Sequence, residues 1–173
     1  MILIVSILCL TSVARAAETY DCGAADKWIT LRSANILPDP VIYPGNVTLI
    51  AAFDLSHDLP DRDLMLSLKI EKQEPIRMTV PCLKGIGSCT YDICKDIVPY
   101  HQKEFCELGS CTCPCPAKNY STKGIPYALP TIGGTIFKEI LEGNYVANMT
   151  FHNAVTKQIY GCMGMRFAIK AAP

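Results

Sequence analysis

The chain carries no excess of charge of either sign, since its 173 residues include 16 basic and 16 acidic side chains. Nucleic-acid binding needs a basic patch or stripe, so this balance argues against a nucleic-acid partner. Long apolar runs are also scarce. Beyond the N-terminus, no stretch approaches the roughly 20 apolar residues that a membrane-spanning helix requires. We therefore expect the mature protein to be soluble.

Motifs of the common catalytic sites are absent from the sequence. It contains no G-x-S-x-G, H-E-x-x-H or P-loop pattern. His57, His101 and His152 are scattered singly, as is usual for surface histidines. The aspartates of residues 54–63 lack the glycine and the closing glutamate of an EF-hand, which favours a solvated acidic loop. We predict a protein that is not an enzyme and that needs no cofactor or metal.

The N-terminus has the pattern of a secretory leader. Its first ten residues are almost wholly apolar, and Ala14-Arg15-Ala16 then supplies small residues for cleavage. We predict a signal peptide at residues 1–16 and one domain at residues 17–173, in a secreted or lysosomal protein. Three N-x-S/T sequons agree with this compartment and predict glycosylation at Asn46, Asn119 and Asn148.

Ten cysteines are present, and nine of them follow the leader. One stands near each end of the mature chain, and seven lie between residues 82 and 115. In a secreted chain this layout predicts a disulfide-stapled central loop region and a bridge that joins the two ends. The run of Cys111, Cys113 and Cys115 would also suit zinc or redox chemistry, but the secretory context favours disulfides.

Apolar and polar residues alternate in four segments, at residues 64–71, 76–80, 145–152 and 163–170. A period of two is typical of strands with one buried face. Residues 47–55 form a further predicted strand and residues 29–37 a weaker one, whereas only residues 135–141 suit a helical turn. The sequence therefore predicts an all-β fold, an antiparallel sandwich or cup.

Several ordered motifs resemble those of one family. They are LPDPVIYPGNVTL at 37–49, VPC followed by IGSCT at 80–90, CPCP at 113–116, GNY at 143–145 and GC at 161–162. Their order and spacing are similar, from Cys22 to Ile169, to those of the ganglioside activator family, the lysosomal glycolipid-binding cofactors of hexosaminidase A. The chain resembles more distantly the ML superfamily of lipid-recognition domains.

The resemblance implies a β-cup whose sheets are splayed around an apolar cavity for lipid acyl chains. It also implies disulfides. Eight cysteines are expected and nine are present, so one of the last three is left over, and the match of the motif at Cys115 indicates Cys111. The implied pairs are Cys22 with Cys162, Cys82 with Cys89, Cys94 with Cys115, and Cys106 with Cys113 or Cys111.

Inward-facing apolar residues would then contact the lipid. Alternation alone is equally compatible with a packed core, so this assignment depends on the resemblance. Residues 127–137 would form an apolar lip with a hinge at Gly133-Gly134, whereas residues 71–76 are too charged for the membrane contact that the family makes there. The predicted lipid-binding residues are Leu66, Leu68, Ile70, Met78, Val80, Leu129, Ile132, Ile136, Phe137, Met149, Phe151, Met165 and Phe167.

The resemblance predicts a lipid-binding or lipid-transfer protein that holds a glycolipid or phospholipid and presents it to an enzyme or membrane. Its partners would be the lipid, a transient membrane surface and a lysosomal hexosaminidase, which it would activate without catalysing a reaction itself. The alternative is a cysteine-rich secreted interaction protein, an inhibitor or structural component, with a solid sandwich core.

Overall fold

The structure is a computed structural model that describes residues 17–74, 76–83, 85–99, 113–129 and 141–172. The leader predicted at residues 1–16 lies outside them. The described residues form eleven strands and one turn of π-helix at Ile93–Ile97. The strands are β1 (Glu18–Asp21), β2 (Ile29–Leu37), β3 (Val41–Tyr43), β4 (Gly45–Leu55), β5 (Leu64–Lys72), β6 (Met78–Thr79), β7 (Thr90–Asp92), β8 (Asn119–Ser121), β9 (Ile125–Leu129), β10 (Gly143–Asn153) and β11 (Ile159–Ala171).

The strands form two sheets. The large sheet has the order β1-β11-β10-β5-β6, with β3 beside the end of β11 and β7 beside the start of β5. The small sheet has the order β2-β4-β8, and β9 pairs with the first half of β4. Every pairing is antiparallel except that of β3 with β11. The all-β antiparallel prediction is therefore confirmed.

Strand register places the alternating apolar residues on one face of the large sheet. Met149 in β10 lies opposite Leu68 in β5 and Met163 in β11. Directly paired residues point to the same side of a sheet. The inner face therefore carries the apolar set of each strand, and the outer face carries polar residues such as Asn148 and Ser67. The predicted strand at 76–80 shortens to β6, because Ile76 is exposed outside the ladder.

The two sheets meet closely along one edge, which we call the seam. There the backbone N–H of Trp28 donates to the carbonyl of Tyr160 at 2.7 Å. Gly161 follows in β11, where a Cβ atom would lie only 2.6 Å from the Cβ of Ile29 in β2. A side chain larger than hydrogen would therefore separate β11 from β2. The opposite edges of the sheets carry β6 and β7 on one side and β8 and β9 on the other.

Three disulfides join described residues. The bridges Cys22–Cys162 and Cys82–Cys89 are present, as the resemblance implied. The pairing of Cys94 with Cys115 is wrong, because Cys94 is bonded to Cys113 at a Cα–Cα distance of 5.9 Å. The backbone of Cys115 pairs instead with Leu59, and its unpaired thiol is buried in the apolar core.

The new pairing also excludes a bond between Cys106 and Cys113. Cys106 and Cys111 lie outside the described residues, so a bond between them remains a prediction. Most of the helical turn expected at residues 135–141 lies outside them as well.

Candidate binding cavity

A cavity of about 210 Å³ lies between the two sheets, and its lining is apolar. Among the described residues that line it, Thr122 alone carries an aliphatic hydroxyl. That hydroxyl accepts a hydrogen bond from the backbone N–H of Ala51 at 2.9 Å. The lining residues are Ile29, Ala34, Leu49, Ala51, Phe53, Leu55, Leu59, Leu64, Leu66, Ile93, Ile97, Cys115, Tyr120, Thr122, Ile125, Met149, Phe151 and Met163.

Small side chains on the small sheet leave room for this cavity. Ala34 of β2 lies directly opposite Ala51 of β4, and both line the cavity. Large side chains flank Ala51 along the inner face of β4, at Leu49 and Phe53. Because an alanine reaches only one carbon from the backbone, the pair forms a recess in an otherwise bulky wall.

Tyr120 presents its ring, and not its hydroxyl, to the interior. The ring stacks on Phe53 with centroids 5.2 Å apart. Its hydroxyl donates a hydrogen bond to the carbonyl of Pro116 at 2.8 Å. The polar end of this buried side chain therefore has its own partner, as buried hydroxyls generally do. The cavity wall at this position is purely aromatic.

Cys115 contributes a sulfur to the lining. Burial in these apolar surroundings raises the pKa of the thiol, because the negatively charged thiolate is poorly solvated there, and nearby Lys118 offsets part of that rise. The thiol therefore stays protonated and behaves as a small apolar group. Such a sulfur suits a hydrocarbon ligand and is poorly suited to nucleophilic chemistry.

The cavity occupies only part of the space between the sheets. Towards the far ends of β10 and β11, Tyr145 and Met165 are buried without lining it, and so is Val47 on the small sheet. Tyr145 stacks on Phe167 with centroids 5.7 Å apart. We call this region, made by Val47, Tyr145, Met165 and Phe167, the packed half.

The hydroxyl of Tyr145 is satisfied inside the packed half. It donates to the carbonyl of Leu141 at 2.6 Å. Burial raises the pKa of this phenol to about 12. Lys72, opposite Tyr145 in β5, is only 6% exposed at the same end of the inner face. The packed half thus combines apolar packing with buried polar groups.

The predicted lipid-binding residues divide between these two regions. Leu66, Met149 and Phe151 line the cavity. Leu68, Ile70, Met165 and Phe167 share the same inner face but are not part of the lining.

The other predicted lipid-binding residues lie near the edge of the large sheet, at the end of β9 or outside the described residues. Met78 and Val80 follow the edge of the large sheet, where Met78 is 45% exposed, and Leu129 ends β9. None of these three lines the cavity. Ile132, Ile136 and Phe137, with most of the predicted lip, lie outside the described residues.

Sequence reasoning missed most of the small-sheet wall. The alternation of Leu49, Ala51, Phe53 and Leu55 was a usable signal, since residues 47–55 were predicted to be a strand. Ile93 and Ile97 gave no such signal, because the π-helical turn that carries them has no strand or α-helix periodicity.

The three predicted glycosylation sites differ in exposure. Asn46 and Asn119 are exposed in β4 and β8. Asn148 is half-buried in the middle of β10, where its side-chain oxygen accepts a hydrogen bond from the hydroxyl of Tyr20 at 2.8 Å. Asn148 is therefore less accessible to a glycan than the other two asparagines.

Two further kinds of feature are absent from the described residues. No group of three or more His, Cys, Asp or Glu side chains in the described ranges could hold a metal ion. Within the same ranges, no helix has the length and apolar character to cross a membrane.

Known proteins resemble this chain in sequence and in fold. No protein-family model matches the sequence. The ganglioside GM2 activator of Macaca fascicularis is 28% identical over 120 residues, which cover 66% of this chain and 56% of the relative. That of Mus musculus is 27% identical over 128 residues, covering 67% of this chain and 61% of the relative. The match thus spans less than two thirds of either curated relative.

A solved structure shows the same fold. A Niemann-Pick type C2 protein from the Japanese carpenter ant superposes with a TM-score of 0.53 at 15% identity, covering 88% of this chain and 99% of that one. At this identity the likeness concerns the fold alone. Together the comparisons confirm the resemblance that the sequence motifs indicated: this chain is similar in sequence to two ganglioside GM2 activators and similar in fold to a Niemann-Pick type C2 protein.

Proposed function

We propose that the protein binds a lipid by enclosing its hydrocarbon chain in the cavity between the two sheets. The observation that carries this proposal is the apolar cavity of about 210 Å³. Burying a methylene group contributes about 0.8 kcal/mol, so a hydrocarbon chain in this space gains several kcal/mol over water. The alternative, an interaction protein with a solid core, does not explain such a cavity.

The relatives support a role in presenting the lipid to another component. Two curated relatives carry the name ganglioside GM2 activator. By extension, this protein would hold a glycolipid or phospholipid for a lysosomal hexosaminidase or a membrane, as a binding protein and not as an enzyme. This enzyme partner is a proposal, because the matched region spans 56–61% of the relatives.

Exposed apolar residues support a transient contact with a membrane surface. Ile76, Met78 and Leu83 lie on the connection between β5 and β7, and Ile76 is 71% exposed. Residues 71–74 are charged and polar, but the three apolar side chains further along this connection are exposed. This connection therefore offers side chains that can enter a lipid surface while the cavity exchanges its ligand.

Three disulfides between described residues support a secretory route, since such bonds persist in oxidising compartments. We propose that residues 1–16 direct the chain into this route, that residues 17–173 form a single lipid-binding domain, and that the product is secreted or lysosomal. Glycans on the exposed Asn46 and Asn119 would agree with this location.

The direct test is to purify the protein from a eukaryotic secretory host and extract it with organic solvent. We expect mass spectrometry of the extract to find lipid in a stoichiometry near one per chain. Delipidated protein should then accelerate transfer of a fluorescent lipid between vesicles. If the extract contains no lipid and transfer stays at the rate without protein, the solid-core alternative replaces the proposal.

A further inference from the structure

Two tyrosines lie on the inner faces of the two sheets, at the edges opposite the seam. Tyr91 in β7 pairs directly with Leu66 of β5, which lines the cavity. Tyr127 in β9 lies two residues beyond Ile125, which also lines it. Paired residues, and residues two apart in one strand, point to the same side of a sheet. Both phenol side chains therefore face the space between the sheets, beside the cavity lining.

The two side chains are neighbours although their strands belong to different sheets. Burial raises the pKa of Tyr91, and repulsion between its phenolate and that of Tyr127 raises it further. Such repulsion weakens with distance, so it indicates that the two phenols lie near each other. Tyr127 is 41% exposed. The pair therefore stands between the apolar interior and the solvent.

The hydrogen bond of Tyr91 determines what its oxygen offers to a ligand. Its hydroxyl donates to the backbone carbonyl of Gly85 at 2.8 Å, within the loop that the Cys82–Cys89 disulfide closes. A phenol carries one proton, so this oxygen is left as an acceptor only. The hydroxyl of Tyr127 is able to donate as well as to accept. A ligand hydroxyl, which has both a proton and lone pairs, matches the two phenols together.

We infer that Tyr91 and Tyr127 form a polar subsite that holds a hydroxyl group of the lipid next to its hydrocarbon chain. The chain lies in the cavity beside Leu66 and Ile125, while the hydroxyl donates to Tyr91 and accepts from Tyr127. A hydroxyl removed from water without partners is costly, so these two bonds favour a lipid with a hydroxyl at this position. The inference depends on the proposed function and deepens it, because it assigns residues to the polar part of the ligand.

Two isomeric ligands separate the two hydrogen bonds. Decanol and methyl nonyl ether have the same formula, but only the alcohol donates a hydrogen bond. Isothermal titration calorimetry on the delipidated protein would measure the affinity of each. We expect Tyr91→Phe to weaken the binding of decanol about three- to tenfold and to leave that of the ether unchanged, because the Tyr91 oxygen only accepts. Tyr127→Phe should weaken both, because both ligands accept from its hydroxyl.

Tyr20→Phe is the matched control. It removes the same hydroxyl from the outer face of the large sheet, where that hydroxyl donates to Asn148. It should leave the affinities of both ligands unchanged. Circular dichroism and thermal unfolding would verify that each variant is folded. Should Tyr91→Phe not fold, the partly exposed Tyr127 carries the test, since Tyr127→Phe must weaken both ligands.

The outcomes distinguish this subsite from other roles of the two tyrosines. If Tyr91 only supports the loop at Gly85, Tyr91→Phe changes the affinities of decanol and the ether by the same factor. That result, or unchanged affinities in Tyr127→Phe, would overturn the inference and leave the proposed function standing, because the hydrocarbon chain still binds. If neither ligand binds to the unmodified protein, the inference and the proposed function both fail.

Discussion

Gly161 in β11 lies directly against Ile29 in β2, with space for hydrogen but none for a methyl group. A Cβ atom on Gly161 would approach the Cβ of Ile29 to 2.6 Å and its carbonyl oxygen to 2.9 Å. Both distances are shorter than a van der Waals contact, and the second involves backbone, which cannot rotate away. This contact fixes the distance between the two sheets on one side of the cavity.

Gly161→Ala should therefore destabilise the protein. The added methyl group must push β11 from β2, and overpacking of this kind typically costs about 1–3 kcal/mol. Urea unfolding followed by circular dichroism would measure the loss. The backbone of Gly161 needs no glycine-specific conformation, so steric crowding is the whole reason for the effect. If Gly161→Ala has the same free energy of unfolding as the unmodified protein, the seam can accommodate a methyl group and does not set the separation of the sheets.

The inner face of the large sheet was predictable from sequence, whereas the extent of the cavity was not. Alternation in β5 and β10 identifies Leu66, Leu68, Met149 and Phe151 as inward residues, because the period of a strand fixes their side. It does not say whether the space beyond them is empty. That depends on what faces them across the sandwich, and Ala51 faces the interior there.

The central cysteines show a second limit of the sequence. Cys111, Cys113 and Cys115 are spaced two residues apart, so the local sequence does not indicate which of them forms a disulfide with Cys94. The choice is made by tertiary contacts, since the backbone of Leu59 pairs with Cys115 and holds its side chain in the core. No feature of the local sequence encodes that contact.

Non-reducing peptide mapping should recover Cys22 linked to Cys162 and Cys94 linked to Cys113. The first bridge closes a loop with a sequence separation of 140 residues. In the chain-entropy model such a bridge stabilises by about 5 kcal/mol, so the double variant Cys22→Ser/Cys162→Ser should lose 2–5 kcal/mol. A map that links Cys94 to Cys115 would restore the pairing implied by the family and contradict the structure.

Alkaline pH should destabilise the protein through Tyr145. Its pKa is raised to about 12 in the folded state by burial, whereas an unfolded tyrosine titrates near 10. The unfolded state therefore releases this proton first. The stabilising contribution of the protonated phenol is complete below pH 10 and is lost as pH rises towards 12. The shift corresponds to about 2–3 kcal/mol at most.

Tyr145→Phe isolates this effect. The variant lacks the ionisable group, so its stability should fall less steeply between pH 10 and 12 than that of the unmodified protein. At neutral pH it should lose about 1 kcal/mol, because the hydrogen bond to Leu141 is gone. Urea unfolding at a series of pH values would measure both. If the free energy of unfolding of the two proteins falls equally between pH 10 and 12, Tyr145 is not the group that causes the alkaline destabilisation.

Asn46 should carry a glycan when the protein is made in a eukaryotic secretory host. It is the exposed second residue of β4, directly after Gly45, where a glycan would project into solvent. Glycosidase treatment should increase electrophoretic mobility, and Asn46→Gln should remove part of that increase. Detection of only the unmodified Asn46 peptide by mass spectrometry would contradict this expectation.

Two methionines on the same face of the large sheet provide the sharpest test of the cavity. Met149 lines the open space, whereas Met165, on the neighbouring strand, is 3% exposed within the packed half. Met149→Trp should fill the cavity with little loss of stability and abolish lipid transfer between vesicles. Met165→Trp should overpack the packed half and lose about 1–3 kcal/mol.

The pair separates a lined cavity from a solid core. Both variants make the same chemical change on the same face, so a difference between them reports the space in front of each side chain. Thermal unfolding and vesicle transfer, measured on both variants, provide the comparison. If Met149→Trp loses as much stability as Met165→Trp and the transfer by the remaining folded protein is normal, Met149 faces a packed core. Lipid binding between the sheets would then be untenable.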